Sequence, residues 1–332
     1  MVLGSIAIDL VVIVAALYLI NKGSEKTTDA ISHTARVFRT SNVAVSIVLV
    51  ALLLSMPEVL ISASSILKGK PDLAIGVAIG SLIVNLGLIV GVSAIIRPIK
   101  LSRVMITRDL VFMIVATLVV SLVGMGNGQF SRLDGAIFLL LFIPYIINVY
   151  EQEKMLTRKE RAREEESISR TLELTGKWIH SEKARGLLPL LFGLALLVLG
   201  SELFTRSLVS IANITGIPGI IIGLTVGAIG TSIPNLATAV QAARRNMDGV
   251  AISETLGSNI FTLLVTVGVI SLIAPVSVDE DVRNITIPAM LAMTFISSSF
   301  FIKGVVGKKE GVTLVLMYLT LLAAEILGRT AF

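Results

Sequence analysis

Ten continuous apolar blocks of about 17–25 residues constrain this sequence more than any other feature. A helix needs about 20 apolar residues to cross the hydrocarbon core of a bilayer. Because the blocks do not alternate between apolar and polar residues, they favour membrane-spanning helices over a transmembrane barrel. Charged residues make up only 15% of the 332 residues, against about 25% in soluble domains. We therefore predict an all-α polytopic membrane protein with spans at residues 3–21, 44–67, 73–96, 109–126, 134–150, 186–204, 219–242, 250–273, 284–302 and 311–328.

The 28 Lys and Arg residues define an orientation for these spans. With the N-terminus outside, 22 of them lie in inside loops and 6 lie in outside segments. An excess of basic residues marks the cytoplasmic side of a membrane protein. Both termini are thus predicted to be extracellular in a cell membrane. The net charge of +5 then reflects this topology, and no nucleic-acid partner is needed to explain it.

Residues 151–185 form the one long polar stretch, in which charges of both signs occur at helical spacing without an apolar stripe. This pattern is typical of a solvated cytoplasmic linker. A regulatory or partner-binding site is the alternative interpretation. The linker separates a first five-span half, residues 1–150, from a second five-span half, residues 186–332.

The two halves carry an internal repeat whose matching positions differ by a constant 177 in sequence number, as Gly23 and Gly200 do. Because each half has five spans, an odd number, the second half enters the membrane in the opposite sense. Inverted-topology repeats are typical of secondary transporters, whose binding sites lie near the membrane midplane at the repeat interface. Five matches share this repeat spacing: Gly23-Ser24-Glu25 with Gly200-Ser201-Glu202, Ser55-Met56-Pro57-Glu58 with Ser232-Ile233-Pro234-Asn235, Gly80-Ser81 with Gly257-Ser258, Gly91-Val92 with Gly268-Val269, and Pro98 with Pro275.

Glu58 is the predicted centre of an ion site. It lies inside the second span, and ionisable residues within a span are costly and usually functional. Pro57 frees a backbone carbonyl in the preceding turn, and Ser55 adds a hydroxyl. An all-oxygen set of this kind suits Na⁺ or Ca²⁺. The alternative is a protonated Glu58 that only hydrogen-bonds a neighbouring helix.

Polar residues at or near repeat-related positions extend this candidate site. Asn235 is the repeat counterpart of Glu58 and offers an oxygen without a charge. Asn85 and Thr262 follow the two Gly-Ser pairs, and each is interpreted either as a cation ligand or as the source of a plain interhelical hydrogen bond.

Three further acidic residues lie near the predicted ends of spans. Glu25 and Glu202 are repeat-related and are interpreted as structural or access-path charges, because snorkelling to the interface costs little there. Glu325 has the uncharged Asn148 as its counterpart at the repeat spacing, and we expect it to be interfacial.

Enzymatic and metal-cofactor functions find no support in the sequence. The absence of Cys excludes disulfides, Cys-ligated metals and thiol catalysis. Because the chain has only two His residues, the sequence does not favour a His-rich metal site. No HExxH motif, Ser–His pair within a span or paired membrane aspartates occur. We predict a protein that is not an enzyme and has no cofactor.

Both halves contain an S-x-P-[acid or amide] element followed by a G-S-x-x-x-[N/T] element, and this order resembles the calcium/cation antiporter superfamily, in particular the prokaryotic sodium/calcium exchangers. Residues 67–76 and 227–235 resemble the two alpha-repeats of that family. The resemblance covers nearly the whole chain in span order. It implies ten helices as two inverted five-helix repeats, alternating access, and Na⁺ entry that drives Ca²⁺ extrusion.

The resemblance also implies a cation site between helices two, three, seven and eight, with a backbone carbonyl used at the position of Leu54. Asn235 stands where the family normally carries Glu, and Thr262 stands where many members carry an acid. Together, the interpretation of the residues and the resemblance predict a metal-ion site formed by Glu58, Ser55, Ser81, Asn85, Thr231, Ser232, Asn235, Ser258 and Thr262.

A site with one carboxylate balances one Na⁺ or H⁺ better than Ca²⁺, because a desolvated charge needs compensation. The first hypothesis is a Na⁺/Ca²⁺ antiporter. The second is an antiporter coupled to H⁺, or one that moves a monovalent or another divalent cation. The third, from a different class, is a cation channel or a transport-dead ion sensor. The predicted partners are inorganic cations and the lipid bilayer, and the sequence predicts no oligomeric state.

Overall fold

A computed structural model describes residues 2–37, 55–101, 103, 105–155, 187–244 and 248–330. The helices of the first half are α1 (Val2–Val37), α2 (Met56–Leu67), α3 (Pro71–Val84), α4 (Val90–Ile96), α5 (Val111–Asn127) and α6 (Arg132–Met155). Those of the second half are α7 (Leu187–Thr215), α8 (Gly219–Ile222), α9 (Ala228–Arg244), α10 (Asp248–Phe261), α11 (Val267–Ile273), α12 (Ile287–Phe301) and α13 (Lys308–Thr330). Segments of π-helix occur at Asn85–Ile89, Met105–Leu110, Gly223–Gly227, Thr262–Thr266 and Val282–Thr286. The short strands in the described part of the chain are β1 (Ile99–Lys100), β2 (Gln129–Phe130), β3 (Val276–Ser277) and β4 (Val305–Val306).

The helices occupy all ten predicted spans in order, which confirms the all-α membrane fold. Within the described residues, eight helical stretches are long and apolar enough to cross a membrane, and two shorter apolar stretches, Met56–Leu67 and Gly219–Ile233, lie in the second and seventh spans. The start of the second span, residues 44–54, lies outside the described residues. Residues 156–185 of the predicted linker also lie outside the described residues, and α6 is described as far as Met155.

Two helices extend well past their predicted ends. The prediction ends the first span at residue 21, but α1 continues to Val37, and no proline interrupts this polar extension. It ends the sixth span at residue 204, but α7 continues to Thr215. Helix α7 ends there because Gly216 takes a left-handed conformation with φ of 70°, which suits glycine after a helix.

Burial separates a central pair of helical stretches from the periphery. In the stretch Pro71–Ile96, 94% of the most apolar segment is buried inside the protein. In the counterpart stretch Thr255–Ile273, the buried share of that segment is 78%. The stretches Ser5–Gly23, Arg132–Val149 and Lys308–Leu327 are only 22% buried. The central pair therefore forms the core, and the peripheral helices present apolar side chains outward, as a lipid-facing surface requires.

The internal repeat is reproduced in the helix boundaries. At the same repeat spacing, α3 matches α10, the π segment Asn85–Ile89 matches Thr262–Thr266, α4 matches α11, and β1 matches β3. The matching sequence elements thus fold into the same local structure in each half.

The short strands join the two halves. β1 pairs antiparallel with β4, and β2 pairs antiparallel with β3, so each pair takes one strand from each half. Exchanging the two halves turns one pair into the other, which is the relation that a two-fold pseudosymmetry axis produces. These strands are absent from the sequence-based prediction, because runs of two residues carry no usable periodicity.

The repeat spacing shortens by one position from β2 and β4 onward, because Gln129–Phe130 corresponds to Val305–Val306. The counterpart of Glu325 is therefore Val149 rather than Asn148. The side chain of Glu325 is also only 3% exposed, so it is buried within the protein, and its interfacial position stays a prediction. The sequence matches end at Pro98 and Pro275, before the one-residue change, and could not reveal it.

Helices α1 and α7 pack against each other through two repeat-related glycines. A Cβ atom at Gly23 would lie 2.7 Å from the amide nitrogen of Leu197, and one at Gly200 would lie 3.0 Å from that of Ile20. Leu197 and Ile20 are themselves counterparts at the repeat spacing. The Gly-Ser-Glu match found in the sequence therefore marks a close helix crossing, the usual role of small residues between membrane helices.

Gly223→Ala is expected to destabilise the protein by about 1–3 kcal/mol, the usual range for overpacking. The new Cβ would lie 2.6 Å from the carbonyl oxygen of Leu73 and 2.8 Å from the amide nitrogen of Val77, both backbone atoms of α3. The measurement is the thermal unfolding midpoint of detergent-purified protein. Gly126→Ala is the matched control, because a Cβ there meets nothing within 4 Å. Equal midpoints for the two variants would contradict this packing.

Candidate cation site

The nine predicted site residues lie on four helical stretches, two from each half. Ser55 and Glu58 lie at the start of α2, Ser81 lies on α3, and Asn85 begins the π segment that follows. In the second half, α9 carries Thr231, Ser232 and Asn235, α10 carries Ser258, and Thr262 begins the corresponding π segment. Each of the nine residues is at most 1% exposed.

Two hydrogen bonds connect candidate residues across the two halves. The Oγ atoms of Ser55 and Ser258 are 2.8 Å apart, and Ser81 Oγ lies 3.2 Å from Thr231 Oγ1. The structure thus brings together hydroxyl groups that are 203 and 150 residues apart in sequence. A site at the repeat interface is the arrangement that the inverted repeat predicted.

The two amide side chains among the candidates, Asn85 and Asn235, each form a hydrogen bond through the amide nitrogen. Asn235 Nδ2 donates to Ser258 Oγ at 3.3 Å, and Asn85 Nδ2 donates to Asn259 Oδ1 at 2.8 Å. Among the described residues, neither amide Oδ1 has a hydrogen-bond partner. Each amide nitrogen therefore donates a hydrogen bond within the protein, whereas each amide oxygen has no partner among the described residues.

Glu58, Ser232 and Thr262 also contribute oxygens without partners. Within the described part of the chain, neither carboxylate oxygen of Glu58 receives a hydrogen bond from another residue, and the same holds for Ser232 Oγ and Thr262 Oγ1. Buried polar atoms nearly always have partners, so such a set needs an explanation. Carboxylate, amide and hydroxyl oxygens together are the ligand set that a hard cation prefers.

The charge of this set is small. Over the residues that the structure describes, no group of three or more His, Cys, Asp or Glu side chains comes together. Glu58 is the one acid among the nine candidates, and the other eight are neutral. A cation bound here would meet one formal negative charge and several oxygen dipoles.

Asn85 and Thr262 occupy equivalent positions at the first residue of a π segment. Single turns of π-helix within α-helices occur frequently at functional sites. The sequence identified these two residues as polar, but the local widening of the helix at each of them emerges only from the structure.

Three buried polar or polarisable residues near the candidates were missed by sequence reasoning. Asn259 accepts the hydrogen bond of Asn85, Met113 Sδ lies 3.6 Å from Asn259 Nδ2, and Thr266 lies at the end of the π segment begun by Thr262. The signal for Asn259 was its place in the repeated Gly-Ser element. Its repeat counterpart is the apolar Leu82, so no repeat match drew attention to it.

The negative charge of Glu202 is compensated by two nearby basic residues. It forms ion pairs with Lys68 at 2.5 Å and Arg206 at 2.7 Å, and it accepts a hydrogen bond from Ser64 at 2.7 Å. Its side chain is 33% exposed. These contacts join α7 to the end of α2, as expected for a structural role. The side chain of Glu25 lies outside the described part of the molecule.

The family model described as sodium/calcium exchanger protein matches residues 8–150 and 186–327. The chain belongs to the sodium/calcium exchanger family. It is therefore a membrane cation antiporter rather than an enzyme, and the family transports its cations without a cofactor. This confirms the resemblance seen in the repeated sequence elements.

Relatives of similar length support the assignment. The chain is 29% identical over 343 residues to sodium/calcium exchanger MaX1 of Methanosarcina acetivorans, covering 96% of this chain and 98% of the relative. It is 28% identical over 289 residues to inner membrane protein YrbG of Escherichia coli, covering 86% of each.

Solved structures of the sodium-calcium exchanger NCX_Mj are also similar. In one of them, soaked with zero Na⁺ and Ca²⁺, the match has 27% sequence identity and a TM-score of 0.64. It covers 96% of this chain and 99% of that chain. The likeness therefore extends over both repeats.

Proposed function

We propose that this chain exchanges Na⁺ for Ca²⁺ by alternating access, through a cation site centred on Glu58. One observation carries the proposal: a fully buried carboxylate has no partner for either oxygen among the described residues. An uncompensated buried charge is costly, and a bound cation removes that cost. The names of the relatives MaX1 and NCX_Mj, both sodium/calcium exchangers, support Na⁺ and Ca²⁺ as the exchanged ions.

The neutral candidates complete the proposed coordination shell. Hydrogen bonds between the two halves join Ser55 to Ser258 and Ser81 to Thr231. A movement of one half against the other would therefore change the relative positions of these hydroxyl groups. Ser232, Asn235, Asn85 and Thr262 supply oxygens that have no partner among the described residues. A site shared by both repeats can open to either side of the membrane as the repeats move.

A second candidate is an exchanger with altered selectivity, coupled to H⁺ or moving a monovalent or another divalent cation. The observation that favours it is the single carboxylate in the candidate site. Ca²⁺ carries two charges into a desolvated site, and one Glu neutralises half of them. A monovalent cation or a proton would be balanced by Glu58 alone.

A flux assay in proteoliposomes separates these functions from a channel or a transport-dead sensor. Vesicles loaded with Na⁺ are diluted into Na⁺-free buffer that contains radioactive Ca²⁺, and a parallel set carries a pH gradient instead. Uphill Ca²⁺ uptake driven by the Na⁺ gradient supports Na⁺/Ca²⁺ exchange, and uptake driven only by the pH gradient supports H⁺ coupling. A channel dissipates gradients and cannot drive uphill uptake, and a sensor moves no ion.

We further propose that both termini are extracellular and that residues 151–185 form a cytoplasmic linker between the repeats 1–150 and 186–332. The distribution of basic residues supports this orientation. The family match, which covers residues 8–150 and 186–327, supports the division into two repeats.

Site-directed labelling tests the orientation, because the chain contains no native Cys. Glu280→Cys, in a predicted outside loop, is expected to react with a membrane-impermeant maleimide in intact cells. Lys100→Cys, in a predicted inside loop, is expected to react only after lysis. Both side chains are exposed, so accessibility within the protein does not limit the reaction. The opposite labelling pattern would reverse the topology.

A further inference from the structure

Two neighbouring residues, Asn259 and Met113, determine which end of the Asn85 amide group forms a hydrogen bond within the protein. Asn85 Nδ2 donates to Asn259 Oδ1 at 2.8 Å, and Asn259 Nδ2 in turn lies 3.6 Å from Met113 Sδ. All three side chains have 0% exposure. They come from the π segment after α3, from α10 and from α5, so the contact chain connects both halves of the protein.

The chemistry of Met113 gives this contact chain a direction. An amide group has a donor end and an acceptor end, whereas a thioether sulfur accepts weakly and donates nothing. The NH₂ group of Asn259, and not its oxygen, therefore faces Met113. Asn259 Oδ1 then points toward Asn85, and only the NH₂ group of Asn85 can meet it. As a result, Asn85 Oδ1 has no partner among the described residues.

The other repeat provides an internal comparison. At the repeat spacing, the counterparts of Asn85, Asn259 and Met113 are Thr262, Leu82 and Met290, and all three are fully buried. Leu82 cannot orient a neighbour by hydrogen bonding. Thr262 does not need such a neighbour, because a hydroxyl both donates and accepts and can rotate to present its lone pairs. An orienting side chain, Asn259, thus contacts the amide Asn85, whereas the repeat counterpart of Asn259 is the apolar Leu82.

We propose that Met113 and Asn259 form an orienting relay that holds the Asn85 amide oxygen toward the transported cation. Asn259 is a positioning residue in this relay and not a cation ligand. If the Asn259 amide were reversed, Asn85 would present an NH₂ donor where a cation needs an oxygen. The proposal rests on the proposed function, because it assigns Asn85 as a ligand.

The test measures the dissociation constants of Ca²⁺ and Na⁺ by isothermal titration of the full-length protein in detergent. Asn259→Leu copies Leu82 of the other repeat and is expected to weaken cation binding by about tenfold or more, because the orienting bond is lost. Met113→Leu removes the sulfur acceptor and is expected to weaken binding by about threefold. Met290→Leu is the matched control at the counterpart position and is expected to leave both constants unchanged.

An Asn85→Thr background separates orientation from general stability. It places a rotatable hydroxyl at position 85, as the other repeat has at Thr262, so the orienting partner becomes unnecessary. In this background, Asn259→Leu is expected to change the dissociation constants by less than about twofold. The relay is overturned if Asn259→Leu leaves binding unchanged in the wild-type background, or if it weakens binding equally in both backgrounds.

A cation-independent measurement distinguishes failure of the relay from failure of the proposed function. If the wild type binds neither cation, or if Glu58→Gln leaves binding unchanged, the proposed function fails. The relay is then decided by the side-chain amide NMR signals of protein with nitrogen-labelled Asn. The Asn85 signal, assigned by its loss in Asn85→Thr, must shift in Asn259→Leu and Met113→Leu but not in Met290→Leu. Absence of these shifts overturns the relay.

Discussion

Replacing Glu58 with Gln is expected to reduce Na⁺-driven Ca²⁺ uptake to the level of protein-free vesicles. Gln keeps the size of the side chain and an amide oxygen but removes the one formal negative charge of the candidate site. Loss of one partner from a buried ion pair costs about 3–5 kcal/mol. For a bound cation this corresponds to a loss of affinity of about 100-fold or more. The measurement is initial Ca²⁺ uptake into Na⁺-loaded proteoliposomes.

The matched control for this prediction is Glu280→Gln, the same substitution at an exposed position outside the candidate site. It is expected to transport like the wild type. The Glu58→Gln protein is expected to unfold at the wild-type temperature or above it in cation-free buffer, because an uncompensated buried carboxylate has been removed. Coupled flux that survives Glu58→Gln would move the ion site to other residues.

The double substitution Asn235→Glu with Thr262→Asp is expected to strengthen Ca²⁺ binding by at least about tenfold, because each acid adds a negative charge beside a divalent cation. Both positions are fully buried, and both carry an oxygen that has no partner among the described residues. The new carboxylates would therefore replace existing acceptor oxygens. Ca²⁺ binding to detergent-purified protein is the measurement, with Na⁺ titrated in parallel.

Neutral substitutions of similar size provide the control for this second prediction. Asn235→Gln with Thr262→Asn changes the side-chain volumes and keeps oxygen acceptors, but it adds no charge. Ca²⁺ binding is expected to strengthen in the charged pair and not in the neutral pair. Equal Ca²⁺ affinities in the two double variants would show that the missing acids do not limit Ca²⁺ binding, and the argument for altered selectivity would be wrong.

Much of the fold could be predicted from the sequence because membrane insertion leaves few alternatives. Long apolar blocks must form helices in lipid, since every backbone polar group needs an internal partner there. The constant repeat spacing, combined with five spans in each half, then implied the inverted arrangement. Helix boundaries confirm this spacing from Pro71 to Ile96 and from Asp248 to Ile273.

The details that sequence reasoning missed depend on local geometry. The polar continuation of α1 to Val37 carries no apolar pattern that could predict a helix. The π segments and two-residue strands arise from packing between elements, and no periodicity marks them. The one-position change in the repeat spacing follows the last sequence match, so the true counterpart of Glu325 was visible only in the structure.

The sequence by itself determined the membrane class, the number and order of spans, the repeat and the candidate ligands, because hydropathy and residue chemistry are properties of each position. The tertiary structure alone decided which candidates meet, since Ser55 and Ser258 are joined across 203 residues. It also decided the orientation of the Asn85 amide, which depends on Asn259 and Met113 from other helices. Hydrogen-bond direction is a property of neighbours in space, and the linear order of residues does not contain it.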